Sequence, residues 1–185
     1  MQGLSACTSS IGHTLANILK MTTIRLIQFL LIGLLIGCST SPVISQLESR
    51  VIYSFDLDSL VKKETYNLNI LNKDTILVYK YINTLDSTKN MTFVFNIKSE
   101  VLTFGPFDFK KAEDNFYTNA KLSSLNFDLY DLKIPVMDGN GPMLFNEKYG
   151  ILNVDNTSWT YQYLFLPTGQ ESHELAGQIM NKLKK

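Results

Sequence analysis

Alternation of apolar and polar residues with a period of two is the feature that most constrains the fold of this chain. It occurs in Tyr66–Ile70, in Met91–Ile97 and in Trp159–Leu166. This period places successive side chains on opposite faces of a strand, which is the pattern of a half-buried β-strand. The turn Asn72-Lys73-Asp74 separates Tyr66–Ile70 from the apolar segment Thr75–Tyr81. The sequence therefore predicts antiparallel hairpins.

Weaker patterns fill the rest of the domain. Residues 108–126 are polar and mixed and are predicted as loop, with room for a short helix, and Gly105-Pro106 before them breaks a strand. Further strands are predicted at Arg50–Asp56, Val101–Phe104, Asn126–Ile134 (with Phe127, Leu129 and Leu132 inward) and in Phe145–Val154.

The C-terminus changes period. Thr168 and Glu171 are three residues apart, as in a capping box, and Leu175, Ile179 and Leu183 follow at helical spacing. Three lysines near the end suit the negative C-terminus of a helix dipole. The predicted fold class is therefore α+β, mainly antiparallel β-sheet with one C-terminal helix. It forms a single domain over residues 50–185, behind a polar tether at residues 38–49.

A short apolar run precedes this domain. Leu26–Gly37, LIQFLLIGLLIG, has twelve residues and follows Arg25. A membrane-spanning helix needs about 20 residues, whereas the apolar core of a secretory signal has about 7–15. Residues 1–37 are therefore predicted to be a leader and signal peptide. Met21 is the natural start of that signal, so residues 1–20 are either an over-extended start or a long leader segment.

The end of the run carries a motif. Leu35-Ile36-Gly37-Cys38 resembles the lipobox of bacterial lipoprotein precursors, with an aliphatic residue three before the cysteine and a small residue just before it. The resemblance implies cleavage between Gly37 and Cys38 and lipidation of Cys38. It covers the signal peptide only, and the mature domain resembles no family. The alternative is a membrane anchor or buried helix with an incidental cysteine.

The same resemblance implies a location in the bacterial cell envelope. In the enterobacterial sorting rule, aspartate after the lipidated cysteine retains a lipoprotein at the inner membrane, and here that position is Ser39. Residues 39–47 contain no acid that would mark display at the cell surface. The expected location is the outer membrane, with the domain facing the periplasm.

Composition restricts the function classes. Lys20 and Arg25 precede Cys38, so the mature chain would hold 15 basic and 17 acidic side chains. This balance argues against a nucleic-acid partner, which requires a clustered basic surface. Cys7 and Cys38 are the only cysteines. The mature domain therefore offers no disulfide, thiolate metal site or cysteine nucleophile.

Catalytic constellations are weak in this sequence. His173 is the one histidine of the mature chain and has no G-x-S-x-G partner, so no catalytic residue, metal site or cofactor is predicted. Glycoside hydrolysis needs only two carboxylates, and the candidates near turns are Asp128, Asp131, Asp138 and Glu147. Their ordinary role is surface solvation and turn formation, and Asp138-Gly139-Asn140-Gly141 lacks the spacing of an EF-hand calcium loop.

Two other features invite a functional interpretation. The aromatic face of Trp159, Tyr161, Tyr163 and Phe165 is expected to be core rather than a sugar-stacking platform or partner surface. Three tripeptides resemble the acceptor motif of a general O-glycosylation system found in some Gram-negative bacteria. They begin at Asp58, Asp74 and Asp86, and the resemblance implies modification at Ser59, Thr75 and Ser87.

Three functions follow from these observations. The first is a non-enzymatic binding or assembly module, held to the membrane by its N-terminal lipid and meeting envelope proteins or glycans. The second is a lipid-anchored glycan hydrolase that uses paired carboxylates. The third is an inhibitor or immunity lipoprotein of the periplasm, which a large exposed apolar patch would favour.

Overall fold

The computed structural model describes residues 43–57, 59–122, 124–136, 141–156, 160–169 and 173–183. The chain from Pro42 to Lys185 forms one compact unit. Its elements are β1 (Val43–Asp56), β2 (Ser59–Lys73), β3 (Ile76–Asn83), a short 3-10 turn (Ser87–Lys89), β4 (Met91–Asn96), β5 (Val101–Phe104), β6 (Phe107–Thr118), β7 (Asn126–Leu132), β8 (Met143–Asn146), β9 (Gly150–Asn156), β10 (Tyr161–Pro167) and the helix α1 (His173–Leu183).

The ten strands form a closed antiparallel barrel in which each strand pairs with its neighbour in the chain. β1 and β10 close it, with Ile52 opposite Phe165 and Asp56 opposite Tyr161. The predicted antiparallel pairing and the C-terminal helix are confirmed, but the α+β class is wrong, because the strands form one closed barrel and the described residues hold one α-helix, which packs outside it. Closure joins segments more than 100 residues apart, which a local pattern does not encode.

Aromatic side chains fill the barrel. Tyr79, Tyr81, Phe93, Phe95 and Phe165 are almost completely buried in one inner cluster. Side chains just fill an eight-stranded barrel, and the diameter grows with strand number. Large rings therefore suit the wider interior of ten strands. Several rings meet edge to face, including Tyr79 against Phe145 at 5.3 Å between centroids.

A second apolar cluster lies on the outside of the barrel, under α1. Leu175 and Ile179 of the helix are buried there with Leu164 and Leu166 of β10 and Leu152 of β9. The strands beneath the helix are therefore buried on both faces. This corrects the predicted inward set of β7, because Phe127 belongs to the outer cluster and Leu129 packs against it, while Leu132 packs against the inner one.

Three predicted boundaries differ from the structure. Val43–Ser49 belong to β1 and pair with β2, although the sequence predicts a tether there. Residues 107–118 are strand β6 and not loop; only Phe109 and Tyr117 of β6 are buried, so the segment lacks a continuous apolar face. The helix begins at His173, five residues after the predicted cap Thr168, whose amide donates to the carbonyl oxygen of Ser49 at 3.2 Å.

The up-and-down order gives the barrel two distinct ends. One end, here called the charged end, carries the connections β2–β3, β4–β5, β6–β7 and β8–β9. Strand β1 also begins at this end. The apolar end carries the other five connections, β1–β2, β3–β4, β5–β6, β7–β8 and β9–β10. Within the described residues, no helix has the length and hydropathy of a membrane span.

Candidate functional site

The predicted lipidation and cleavage sites lie outside the described residues. Gly37 and Cys38 precede Val43, where the description of the chain begins. Lipidation of Cys38 therefore stays a prediction.

Two of the four candidate carboxylates share a cleft, and one of these two is held in an ion pair. Asp128 and Glu147 line one cleft of about 310 Å³ at the charged end, together with Tyr130. Asp128 is held there by Lys111, at 3.2 Å, and by the amide of Asn115, at 2.8 Å. Asp131 is exposed on β7 and accepts a hydrogen bond from the amide of the next residue, and Asp138 lies outside the described residues.

Lys111 is the centre of an ion-pair cluster at this end. Its ammonium lies 2.9 Å from Glu100, 3.1 Å from Asp114 and 3.2 Å from Asp128. The hydrogen bond to Glu100 is the main cause that raises the pKa of Lys111, and bonds to the other two carboxylates add to it. The cluster joins the β4–β5 connection to β6 and β7. The ion pair with Lys111 therefore gives Asp128 a structural role. Among the described residues, no group of three or more histidines, cysteines or acids is placed to hold a metal ion.

The other predicted residues are dispersed. His173 is the first residue of α1, and the side chain of this residue lies outside the description. Ser59 and Ser87 are exposed at the apolar end, whereas Thr75 is half-buried in the β2–β3 turn. Glycosylation of these hydroxyls stays a prediction. A native mature protein with the mass of polypeptide plus lipid alone would exclude it.

The aromatic face of β10 changes along the strand. Phe165 is buried in the inner cluster, Tyr163 is half-buried against it, and Tyr161 is 38% exposed. Trp159 lies outside the described residues. For Phe165 and Tyr163 the core interpretation is confirmed, while Tyr161 opens onto the apolar end.

Exposed apolar side chains concentrate at the apolar end. Leu85 is 96% exposed, Leu57 75% and Ile134 72%, and each lies in a different connection. Ten large apolar residues are exposed among the described residues, and only Leu47 and Ile97 lie toward the charged end. The eight at the apolar end are Leu57, Leu60, Val61, Ile82, Leu85, Ile134, Val136 and Tyr161. Single exposed apolar residues are ordinary, but eight at one end of the barrel favour a binding surface there.

A shallow apolar cleft lies within this end. It has a volume of about 320 Å³ and is lined by Phe107, Leu132, Ile134 and Val136, with Pro106, Asp108 and Lys133 completing it. Phe107 and Leu132 also pack against the inner cluster. The cleft therefore adjoins the barrel core through these two residues.

The charges around the apolar end bind one another. Glu64 contacts Lys89 at 2.7 Å and Lys62 at 3.0 Å. Burial raises the pKa of Glu64, but its bonds to the two lysines outweigh burial, and the net pKa is lowered. Lys133 lies 3.9 Å from Asp108 across the cleft. Lys62, Lys89 and Lys133 thus each have a carboxylate partner at this end.

Sequence reasoning missed this surface. Leu57 is flanked by aspartates, and Leu85 opens a polar segment, LDSTKN. Neither belongs to a periodic pattern, because a connection has no strand face. Only the topology places five separate connections at one end of the barrel.

Comparisons with protein-family models, with curated proteins and with solved structures gave no match to this chain.

Proposed function

We propose that this protein is a lipid-anchored lipoprotein of the bacterial cell envelope that acts as a non-enzymatic binding module through its apolar end. The observation that carries the proposal is that the exposed residues Leu57, Leu85 and Ile134 lie in three connections at the same end of the barrel. Burying apolar surface contributes about 25 cal/mol per Å², so this end gains most from a partner. The lipobox resemblance at Cys38 supports the anchor.

The anchor is tested by replacing Cys38→Ser. We expect the variant to leave the membrane fraction and to lose incorporation of labelled fatty acid, because the acylated thiol is the point of attachment. Cys7→Ser is the matched control, since Cys7 lies ahead of the proposed cleavage site and its loss should change neither readout. A Cys38→Ser protein that stays membrane-bound and lipid-labelled would refute the anchor.

The binding surface is tested by placing a charge on it. Leu85→Asp and Ile134→Asp put a carboxylate on the apolar end, and Ile97→Asp puts the same carboxylate on the exposed β4–β5 connection at the charged end. In pull-downs from solubilised envelopes, the first two variants should lose co-purifying partners about 10-fold or more, as buried interface positions do. Ile97→Asp should retain them. Equal recovery with all three variants would remove the apolar end from the proposal.

The inhibitor or immunity lipoprotein is the second candidate, and the same exposed apolar end favours it. A deletion strain distinguishes the two. An assembly module should leave the deletion strain impaired in pure culture, whereas an immunity protein should leave it impaired only beside a competitor that delivers the toxin. The glycan hydrolase has less support, because Lys111 holds Asp128 in an ion pair.

A further inference from the structure

What covers the apolar end can be inferred from the path of the chain. Resting on the proposed lipid anchor, we infer that the apolar end faces away from the anchoring membrane and docks onto an uncharged, apolar surface of another protein. Three occupants compete for this end: the anchoring bilayer, a second copy of this chain, and a different protein. The number of residues between Cys38 and β1, together with the direction of β1, distinguishes these occupants.

The chain enters the barrel at the end opposite the apolar surface. β1 starts at Val43 toward the charged end and runs to Asp56 at the apolar end. Its 14 residues rise about 3.3 Å each, and a strand tilt of about 35–45° leaves about 33–38 Å along the barrel axis. Cys38 lies only five residues before Val43. Fully extended, five residues span at most about 18 Å.

This linker is too short to bring an acyl chain on Cys38 level with the apolar end. The anchoring bilayer therefore lies toward the charged end and does not cover Leu57, Leu85 and Ile134. Two copies anchored in one membrane present their apolar ends in the same direction, so the ends cannot meet face to face. A different protein is the occupant that this geometry leaves.

The ion pairs at the apolar end indicate which kind of protein surface would bind there. Glu64 is bound by Lys62 and Lys89, and Lys133 lies beside Asp108. An anionic lipid surface attracts uncommitted lysines and arginines, and these lysines already have carboxylate partners. The core of a protein interface is depleted in charge and enriched in apolar and aromatic groups. An uncharged apolar protein surface matches the apolar end in both respects.

The domain lends itself to single-cysteine labelling, because the lipidated mature chain would contain no free thiol. Leu57→Cys, Leu85→Cys and Ile134→Cys report on the apolar end, and Ile97→Cys is the control at the charged end. All four positions are exposed, so the substitutions leave the fold intact. Each variant is labelled with a maleimide in intact envelopes, after detergent purification, and in phospholipid vesicles containing only this protein. A bimane on each cysteine then reports quenching by nitroxide phospholipids in the vesicles.

We expect maleimide labelling at the apolar end to be at least about 10-fold slower in envelopes than after purification, as for residues in an interface core, and to remain slow at high salt. Labelling of Ile97→Cys should be unchanged. In vesicles, the apolar-end cysteines should become accessible and their bimanes should escape quenching. Three results would overturn the inference. Quenching of the bimanes would identify the bilayer as the occupant, and slow maleimide labelling without quenching in the vesicles would identify a second copy of this chain. Fast maleimide labelling of the apolar-end cysteines in envelopes would show that nothing covers this surface. Labelled fatty acid on the same samples reports the anchor separately.

Discussion

At the scale of single residues, Gly150 shows how closely the barrel interior is built. It opens β9 with φ at +86°, a conformation that side chains other than glycine rarely adopt. A Cβ at this position would lie 2.6 Å from the hydroxyl oxygen of Tyr81 and 3.2 Å from a ring carbon of Tyr79. Both tyrosines are buried, and the Tyr81 hydroxyl accepts a hydrogen bond from the amide of Ile151 at 2.9 Å. These rings therefore have no room to move away.

The first prediction is that Gly150→Ala lowers the free energy of unfolding by about 2–4 kcal/mol, since backbone strain and overpacking act together. Gly169→Ala is the matched control, because Gly169 has φ at +92° but no atom within 4 Å of the place that a Cβ would take. It should cost about 1 kcal/mol, the backbone contribution alone. Urea unfolding of both purified variants measures the difference. Equal losses would mean that the contact with Tyr81 carries no cost.

Arg50 marks a limit of residue-level prediction. The sequence predicts it only as the first residue of a strand, yet it is 1% exposed. Its guanidinium pairs with Glu48 at 2.5 Å, donates to the Tyr149 carbonyl at 3.2 Å and lies 4.3 Å from the centre of the Tyr149 ring. These partners are 2 and 99 residues away along the chain. A local sequence pattern carries no signal for the contact between Arg50 and the distant residue Tyr149.

At the scale of elements, the sequence predicted what depends on local period and turn chemistry. The hairpin of β2 and β3, the strand β5 and the break at Gly105-Pro106 were found because alternation and turn residues coincide there. β6 was missed because Lys110–Asn115 is polar apart from Ala112, and this part of the strand carries the ion-pair centre Lys111 instead of a core face. The inward face of β7 was predicted wrongly because both faces of this strand carry apolar residues, with Phe127 and Leu129 at the outer cluster and Leu132 at the inner one.

The second prediction concerns the helix. Ile179 is fully buried between α1 and the outer face of the barrel. Ile179→Ala should lower the free energy of unfolding by about 2–4 kcal/mol, through lost apolar burial and the cavity that remains. Asn181→Ala, at an exposed position of the same helix, is the control and should change stability by less than about 0.5 kcal/mol. Equilibrium urea unfolding followed by circular dichroism measures both.

The two variants also test whether the helix belongs to the folding unit of the barrel. If α1 and the barrel unfold together, Ile179→Ala shifts the whole transition and keeps its slope. A separate early transition in the variant, with the strand signal intact, would show that α1 detaches independently and would contradict the prediction of a common outer core.

At the scale of the whole molecule, the fold separates two kinds of surface that the sequence mixes. Exposed apolar residues are scattered along the chain, and closure of the barrel brings most of them to one end. The ion-pair centre around Lys111 occupies one end, and exposed Leu57, Leu85 and Ile134 occupy the other. Neither end could be predicted from local sequence, because each is assembled from connections far apart in the chain.

The third prediction concerns the whole barrel at alkaline pH. Burial raises the pKa of Tyr79, Tyr81, Tyr130 and Tyr149 well above the ordinary tyrosine value of about 10. Above about pH 10 the unfolded chain releases these protons while the folded barrel keeps them. The unfolded state then binds fewer protons, so the free energy of unfolding falls as pH rises. Below about pH 9 both states are protonated, and stability should not depend on these tyrosines.

The urea midpoint should therefore stay level from about pH 7 to 9 and fall steeply above about pH 10. In the same range, tyrosinate absorbance should rise together with the loss of circular dichroism, because the inner phenols ionise only when the barrel opens. Tyr79→Phe should reduce the steepness of the fall, although it removes the hydrogen bond from the Tyr79 hydroxyl to the Glu147 carbonyl, at 2.6 Å. Tyr161→Phe, at an exposed position, is the control. Complete tyrosine ionisation with an intact strand signal would contradict the prediction, because the aromatic interior would then be open to solvent.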